Sequence, residues 1–339
     1  MNAPDPKRAT LRTVAEMTGL SLSTVSLSLR DGSNVKASTR KRVAEAAKEV
    51  GYVPNRAGVR LRTGRTNVLA LILSSDANSI DFTRLLIQGI GEQLQGTRYH
   101  LNVVPEIDPS DPVAAVKYVL DSRSADGIIL THTGARDPRV RFLLDAEYPF
   151  VSHGRTEFYT PHPFHDFHAE AFIEMAVERI AERGRRRVVL AAVDNQTTHY
   201  AHIVSGFHRV LATTPLVGYT NQDPSSLISA QSARSFGTAI AHDDPECDAI
   251  ICNHELTALA VISGMLDGGK VLGRDYDLIC KQTTDILPTL YPQIDTIAED
   301  LSKTGAELAN LLIKRANGAH VDTLQSLQSP SPQWRAINS

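Results

Sequence analysis

Two periodicities of apolar residues divide this chain. Over residues 10–50 the apolar positions recur at helical spacing in three short runs. In the first, Val14, Ala15 and Met17 form a stripe on a helix that Thr10 caps. Gly19 ends it, because glycine enters the left-handed C-terminal conformation without steric cost. Ser21 starts a second helix, with Val25 and Leu29 inward at i, i+4. A third runs over about 38–50, with Val43, Ala46 and Ala47 inward, Arg40, Lys41, Arg42 and Lys48 outward, and Gly51 closing it. Two short helices joined by a tight turn, the second rich in hydroxyls, predict a helix–turn–helix that places its second helix in the DNA major groove. An ordinary helical hairpin is the alternative that these residues alone leave open.

After Arg65 the period changes. Apolar runs VLALIL (68–73), HLNVVP (100–105), GIILT (127–131), PFVSH (149–153), RVVLAAV (187–193), AIIC (249–252) and DLIC (277–280) read as strands. Helical segments over 82–95, 112–122, 168–183, 200–212, 227–241, 255–267 and 300–316 lie between them. Such alternation predicts parallel sheets covered on both faces, with too many units for one sheet. The fold class is therefore a small all-α helix-turn-helix head plus an α/β core of two doubly wound parallel-sheet lobes.

Ligands of such sheets bind beyond the carboxyl ends of the strands. The polar residues found there are Ser75 and Asp76, Thr131 with His132 and Thr133, His153 and Arg155, His254 and Glu255, and Lys281 and Gln282. Any one of them is compatible with an ordinary loop; several converging on one cleft make a ligand site.

Charge sharpens the division. Residues 1–65 carry 13 Lys and Arg against 5 acidic residues, a net charge of +8; the chain totals −3, so the remainder carries −11. A basic head on an acidic body fits a nucleic-acid-binding module joined to a water-soluble domain. The chain has no apolar run of membrane-spanning length, and its first residues are polar with two prolines, which predicts a cytoplasmic protein without a membrane partner. Cys247, Cys252 and Cys280 form no disulfide framework and no CxxC pair, as expected of core thiols in a reducing compartment.

Three motifs follow one another in order: TVAEMTGLSLSTVS, then TRKRVAEAAKEVGYVPN, then LRTGRTN, ending at Asn67. In this order they resemble the lactose-repressor (LacI/GalR) family of bacterial transcription regulators, over nearly the whole chain and most densely before residue 70. The resemblance implies a helix-turn-helix domain over 1–55, a hinge helix over 56–65, and a periplasmic-binding-protein-like core over 66–339 that binds an effector and dimerises. Lobe 1 would comprise about 66–160 and 295–320, and lobe 2 about 161–294 and 321–339. The chain would cross between them near 156–165, 291–297 and 318–323.

Residue by residue, Leu22, Ser23 and Leu27 resemble base readers, and Ser21, Thr24, Ser26 and Arg30 phosphate contacts. Thr39, Tyr52 and Asn55 also resemble backbone contacts. Many relatives have arginine where Leu27 stands; leucine cannot read guanine and favours a thymine methyl or simple exclusion. In the hinge, NRAGVRLR resembles the hinge helix: Gly58 stands inside it where the family usually has alanine, Arg56 flanks it, and Leu61 resembles the wedge that enters the minor groove. In the core, His199, Tyr200 and His202 open a helix where the family places a wall of the cleft, and Asp166 stands near a common family aspartate.

The family often has Asn-Asp where this chain has His254-Glu255, and an aspartate where it has Gln282. A neutral sugar is the expected effector, gripped with fewer fixed charges than usual. The expected partners are a pseudo-palindromic operator, a small effector and a second copy of the chain. The tail SLQSPSPQWRAINS lacks a leucine heptad, so a dimer is expected rather than a tetramer. The reading is of a repressor, with inducer and corepressor roles for the ligand left open.

The string HPFHDFH sets His162, His165 and His168 three apart around Asp166, a spacing zinc would accept, but Pro161 and Pro163 keep it off a regular helix. No metal and no cofactor are expected. The Gly64-Arg65-Thr66 run is no phosphate loop, and GxSxG and HExxH are both absent. A sugar-binding protein or an enzyme on the same two-lobed core is the alternative from a different class.

Overall fold

The computed structural model describes residues 9–29, 34–52, 60, 64–73, 80–106, 108, 110–193, 196–221 and 227–336, and forms two compact units, residues 1–66 and 67–339.

The first unit contains α1 (Leu11–Thr18), α2 (Leu22–Ser28) and α3 (Ala37–Glu49). Thr10 caps α1 by accepting from the Thr13 amide, and Thr13 reciprocates to the Thr10 amide. Gly19 ends α1 at φ 65°, in the left-handed region. Ser21 caps α2 through the Thr24 amide. Val14, Ala15, Val25, Val43, Ala46 and Ala47 fill the centre, ringed by Leu11, Leu20, Leu29, Val50 and Tyr52. Met17 is an exception to the predicted stripe, being 46% exposed. The buried face of α1 runs through 11, 14, 15 and 18, the i, i+3, i+4, i+7 set, and Met17 falls outside that arc.

The second unit has two six-stranded sheets. The first sheet is built from β1 (Val68–Leu73), β2 (His100–Pro105), β3 (Gly127–Leu130), β4 (Phe150–His153), β5 (Phe164–Phe167) and β11 (Gln325–Gln328), in the order β11-β5-β4-β3-β1-β2 and parallel throughout. Helices α4 (Ile80–Leu94), α5 (Ala114–Asp121), α6 (Pro138–Asp145) and α12 (Leu301–Ala316) cover it. The second sheet has β6 (Arg187–Ala191), β7 (Val217–Thr220), β8 (Ala249–Cys252), β9 (Asp277–Gln282), β10 (Asp295–Ala298) and β12 (Ser331–Gln333), in the order β12-β10-β9-β8-β6-β7. Around it lie α7 (Ala169–Glu182), α8 (Thr198–Leu211), α9 (Ala230–Asp243), α10 (Glu255–Asp267) and the short α11 (Ile286–Leu290).

One expectation needs correction. The lobe boundaries lie later in the chain than the family resemblance implied. Phe164–Phe167 pairs with β4 and β11, so residues 161–167 belong to the first lobe, and the chain crosses between 167 and 169. Asp295–Ala298 pairs with β9 in the second sheet, so the return crossing is at 298–301. Gln325–Gln328 lies in the first sheet and Ser331–Gln333 in the second, which puts the last crossing at 328–331. The polar string FHDF hid a strand whose His165 and Asp166 are nevertheless buried. The two parallel-sheet lobes are as expected; only at the edge of the second does β12 run antiparallel to β10, with Pro332 opposite Ile297 on the edge position that proline tolerates.

α4 and α12 meet at backbone distance. A methyl at Gly89 would collide with the Ser302 carbonyl, and one at Gly305 with the Leu86 carbonyl, whereas one at Gly91 would meet nothing within 4 Å. Gly89→Ala is therefore expected to destabilise the core by about 1–3 kcal/mol through forced helix separation. Gly91→Ala should stabilise by up to ~1 kcal/mol through helix propensity. Urea unfolding followed by circular dichroism checks both; equal effects of the two substitutions would refute the close packing.

Candidate DNA-reading helix and effector cavity

On α2 the inward stripe is closed by Val25 and Ser28, both buried. Leu22 and Leu27 are 49% and 43% exposed. Ser23 is exposed, and its hydroxyl lies 2.8 Å from that of Ser21, which also sits 2.8 Å from that of Thr24. Ser26 and Thr39 are half-buried, and Tyr52 packs against the head's core. The structure thus brings Ser21, Leu22, Ser23 and Leu27 to one exposed helix. Arg30, Asn55, Arg56, Gly58 and Leu61 of the head and hinge, and Ser75 and Asp76 of the core, lie outside the described residues.

In the core, a cavity of about 110 Å³ opens where the carboxyl ends of the two sheets face each other. The first lobe contributes Phe82 of α4, His132 and Thr133 after β3, His153 and Gly154 at the end of β4, and Asp166 and Phe167 of β5. From the second lobe come Val193, Thr197 and His199, Asn253 and His254 after β8, Lys281 of β9, and Glu299 just past β10. His132 reaches its place through a left-handed backbone (φ 53°), a conformation that costs a residue with a side chain about 1–3 kcal/mol. The lobes also touch directly: the Thr198 amide and hydroxyl donate to the Thr133 carbonyl at 3.0 and 3.2 Å.

Glu299 is the electrostatic centre. Lys281 Nζ donates to its Oε2 at 2.7 Å, and His153 Nε2 lies 3.7 Å from its Oε1. Burial alone would raise this carboxyl, but Lys281 and then His153 hold it far below the ordinary carboxylate range. Lys281 also stands 3.5 Å from His199 Nε2 and 5.5 Å from the centre of the Phe167 ring. Burial, reinforced by the Lys281 charge, keeps His199 well below the usual imidazole range. His165, behind the cavity, is pushed down to about 4 by burial and by His153. Beside the cavity Arg155 donates to Asp166 at 2.7 Å and to Glu170 at 3.0 Å, and lies 3.0 Å from His202 Nδ1.

Of the core residues singled out from the sequence, His132, Thr133, His153, Asp166, His199, His254 and Lys281 line the cavity, and Arg155 and His202 adjoin it. Four others do not line it. Gln282 follows Lys281 on the same strand, so its side chain takes the opposite face; it accepts from Thr296 at 2.6 Å. Glu255 accepts from the hydroxyls of Thr283 at 2.7 Å and Thr284 at 3.2 Å. Thr131 donates to the Ile72 carbonyl at 3.2 Å, and Tyr200 packs against the second lobe's core.

The sequence reading missed Glu299, Phe82, Gly154, Phe167, Thr197, Val193 and Asn253. Recognising DTIA as a strand would have pointed to Glu299 by the same strand-end rule. The three histidines of HPFHDFH serve separate purposes. His162 Nε2 meets Thr156 Oγ1 at 2.9 Å, His165 Nδ1 meets Ser326 Oγ at 2.8 Å, and His168 caps α7 through the Ala171 amide.

A helix–turn–helix unit joined to a two-sheet core with a polar cavity between its sheets defines a two-domain DNA-binding regulator. Residues 10–55 match the bacterial regulatory proteins of the lacI family, and residues 177–336 match the periplasmic binding protein-like domain. The chain is 30% identical over 317 residues to the HTH-type transcriptional regulator AglR of Rhizobium meliloti (strain 1021), covering 89% of this chain and 86% of that one. It is 25% identical to RafR of Escherichia coli, covering 94% and 96%. Among solved structures, the lac repressor dimer bound to operator and the anti-inducer ONPF superposes with a TM-score of 0.78 at 20% identity, covering 96% and 97%. A CelR–cellobiose complex superposes with a TM-score of 0.71 at 21% identity, covering 97% and 99%. The chain belongs to the lacI family: it is a DNA-binding transcriptional regulator and not an enzyme. Among the described residues no helix is long and apolar enough to cross a membrane.

The buried imidazoles set a pH dependence. In the unfolded chain His165 and His199 take up protons near pH 6.5, which the folded core refuses, to about pH 4 for His165. Stability is therefore expected to be full above about pH 7 and to fall as the pH drops, by about 1.4 kcal/mol per pH unit for each such histidine. Glu299, whose carboxyl is lowered from 4.5, steepens the loss at still lower pH. Urea midpoints between about pH 7.5 and pH 5 check this, and His199→Asn should remove about one proton from the slope. A flat profile would contradict the buried neutral state.

Proposed function

We propose that this regulator is a cytoplasmic, dimeric repressor of a pseudo-palindromic operator, and that its operator affinity is set by a small neutral carbohydrate bound in the cavity between the lobes. The observation that carries this reading is the cavity's composition. Its lining charges are paired, Lys281 with Glu299 and Asp166 with the adjoining Arg155, which also holds Glu170. His199 is held neutral by burial and Lys281. An anionic ligand would find Lys281 and Arg155 already held by carboxylates. The carboxylates and the ammonium group suit hydroxyls, while Phe82 and Phe167 offer the apolar face that a pyranose ring stacks on.

Size adds a constraint. About 110 Å³ is well short of the ~300 Å³ at which ligand clefts begin. A disaccharide therefore requires the lobes to part, which makes ligand binding and lobe arrangement a single equilibrium. A ligand that favours one arrangement changes operator affinity by about 1–3 kcal/mol in regulators of this kind. The solved CelR–cellobiose complex and the lac repressor dimer with the anti-inducer ONPF support a sugar-like ligand.

The test begins with selection of binding sites from random DNA and a salt titration, where several phosphate contacts predict a steep loss of affinity. Operator release is then measured by fluorescence anisotropy with maltose, cellobiose and related glycosides. Lys281→Met alone would strand a buried carboxylate at a cost of about 3–5 kcal/mol. The double variant Lys281→Met/Glu299→Gln keeps the lining neutral and is the better probe. It should bind the operator normally while its response to the active sugar falls at least about tenfold. A double variant that responds like the unaltered protein would remove the cavity from the signalling scheme.

A further inference from the structure

The second helix of the head carries no side chain that reads a purine edge with paired hydrogen bonds. Leu22–Ser28 is LSTVSLS, without arginine, lysine, asparagine, glutamine or an acid. Its hydroxyls are largely engaged with the helix itself. Ser21 accepts from the Thr24 amide at 3.1 Å and shares hydrogen bonds with Ser23 and Thr24, and Ser28 donates to the Thr24 carbonyl at 2.8 Å. What remains prominent is apolar: Leu22 and Leu27, each more than two-fifths exposed although the head has a closed core of its own.

Exposed leucines on a surface helix suit a protein partner as readily as DNA. Here the surroundings select DNA. Arg12, Lys36, Arg40, Lys41, Arg42 and Lys48 make the described part of the head basic, and it matches the lacI helix-turn-helix over 10–55. In the major groove the one apolar feature that distinguishes a base pair is the thymine 5-methyl group.

We infer that this head recognises its half-site mainly through thymine 5-methyl groups, with Leu22 and Leu27 as the contacting side chains. The inference rests on the operator-binding reading above. It implies a half-site in which the positions under α2 are specified by a methyl group rather than by a hydrogen-bond pattern. A cytosine carrying a 5-methyl group would then partly substitute for thymine, and uracil, which pairs as thymine does but lacks the methyl, would not.

The test uses the full chain and the operator obtained by selection. Each thymine is replaced in turn by deoxyuridine, which leaves every groove donor and acceptor in place. At one or two symmetric pairs of positions the substitution should weaken binding about fourfold per methyl, and hence roughly 15-fold for the pair. Leu22→Ala or Leu27→Ala should abolish the difference between thymine and uracil at its own position. Leu27→Arg should convert that position to a preference for guanine. Equal affinity for all the uracil-substituted operators, with specific binding intact, overturns methyl reading and leaves the operator reading standing. A thymine–uracil difference that persists in both alanine variants overturns the assignment to these leucines. Failure of selection to give any motif overturns the operator reading and this inference together.

Discussion

A carboxylate buried at the seam between two lobes governs the core. Glu299 lies just past β10, where the chain leaves the second sheet for the helix that covers the first. An unpaired ion there would cost several kcal/mol, so its environment has to answer it. The answer comes from both sides: Lys281 from the second sheet at 2.7 Å and His153 from the first at 3.7 Å. With the charge so divided, His199 stays neutral and the aromatic rings can approach. The cavity is therefore polar without being strongly charged.

The legibility of the chain followed the range of the interactions involved. Thr10, Gly19 and Ser21 act within one turn of their own helices, so the head could be read from spacing alone. The inner strands, such as VLALIL and AIIC, are buried on both faces and therefore continuously apolar. Strands at sheet margins or crossovers carry no such signal. FHDF holds His165 through Ser326, more than a hundred positions away, and Asp166 through Arg155 in the preceding loop. DTIA buries an aspartate, Asp295, that Arg179 neutralises from α7. Local pattern contains neither Ser326 nor Arg179, and the misplaced lobe boundaries follow from those two strands.

The site showed the same division. His153, His254 and Lys281 were found because a strand end is a local feature. Gln282 was assigned to the cleft because parity along a strand was not applied: of two successive residues only one faces the cavity. Glu299 escaped because its strand had escaped. Glu255, though next to His254, is spent on tying its helix to the loop after β9.

The contact between α4 and α12 has a mechanical consequence. Side chains between helices act as springs, since they change rotamer or tilt when their support shifts. Gly89 and Gly305 leave no such springs, because backbone presses on backbone. The helix that starts two residues after Glu299 is thereby geared to α4, whose Phe82 forms the opposite wall of the same cavity. Glu299 itself stays with the second lobe, its amide bonded to the Gln282 carbonyl, so a molecule that presses on Phe82 turns α4 and α12 together, as one piece, against the second lobe.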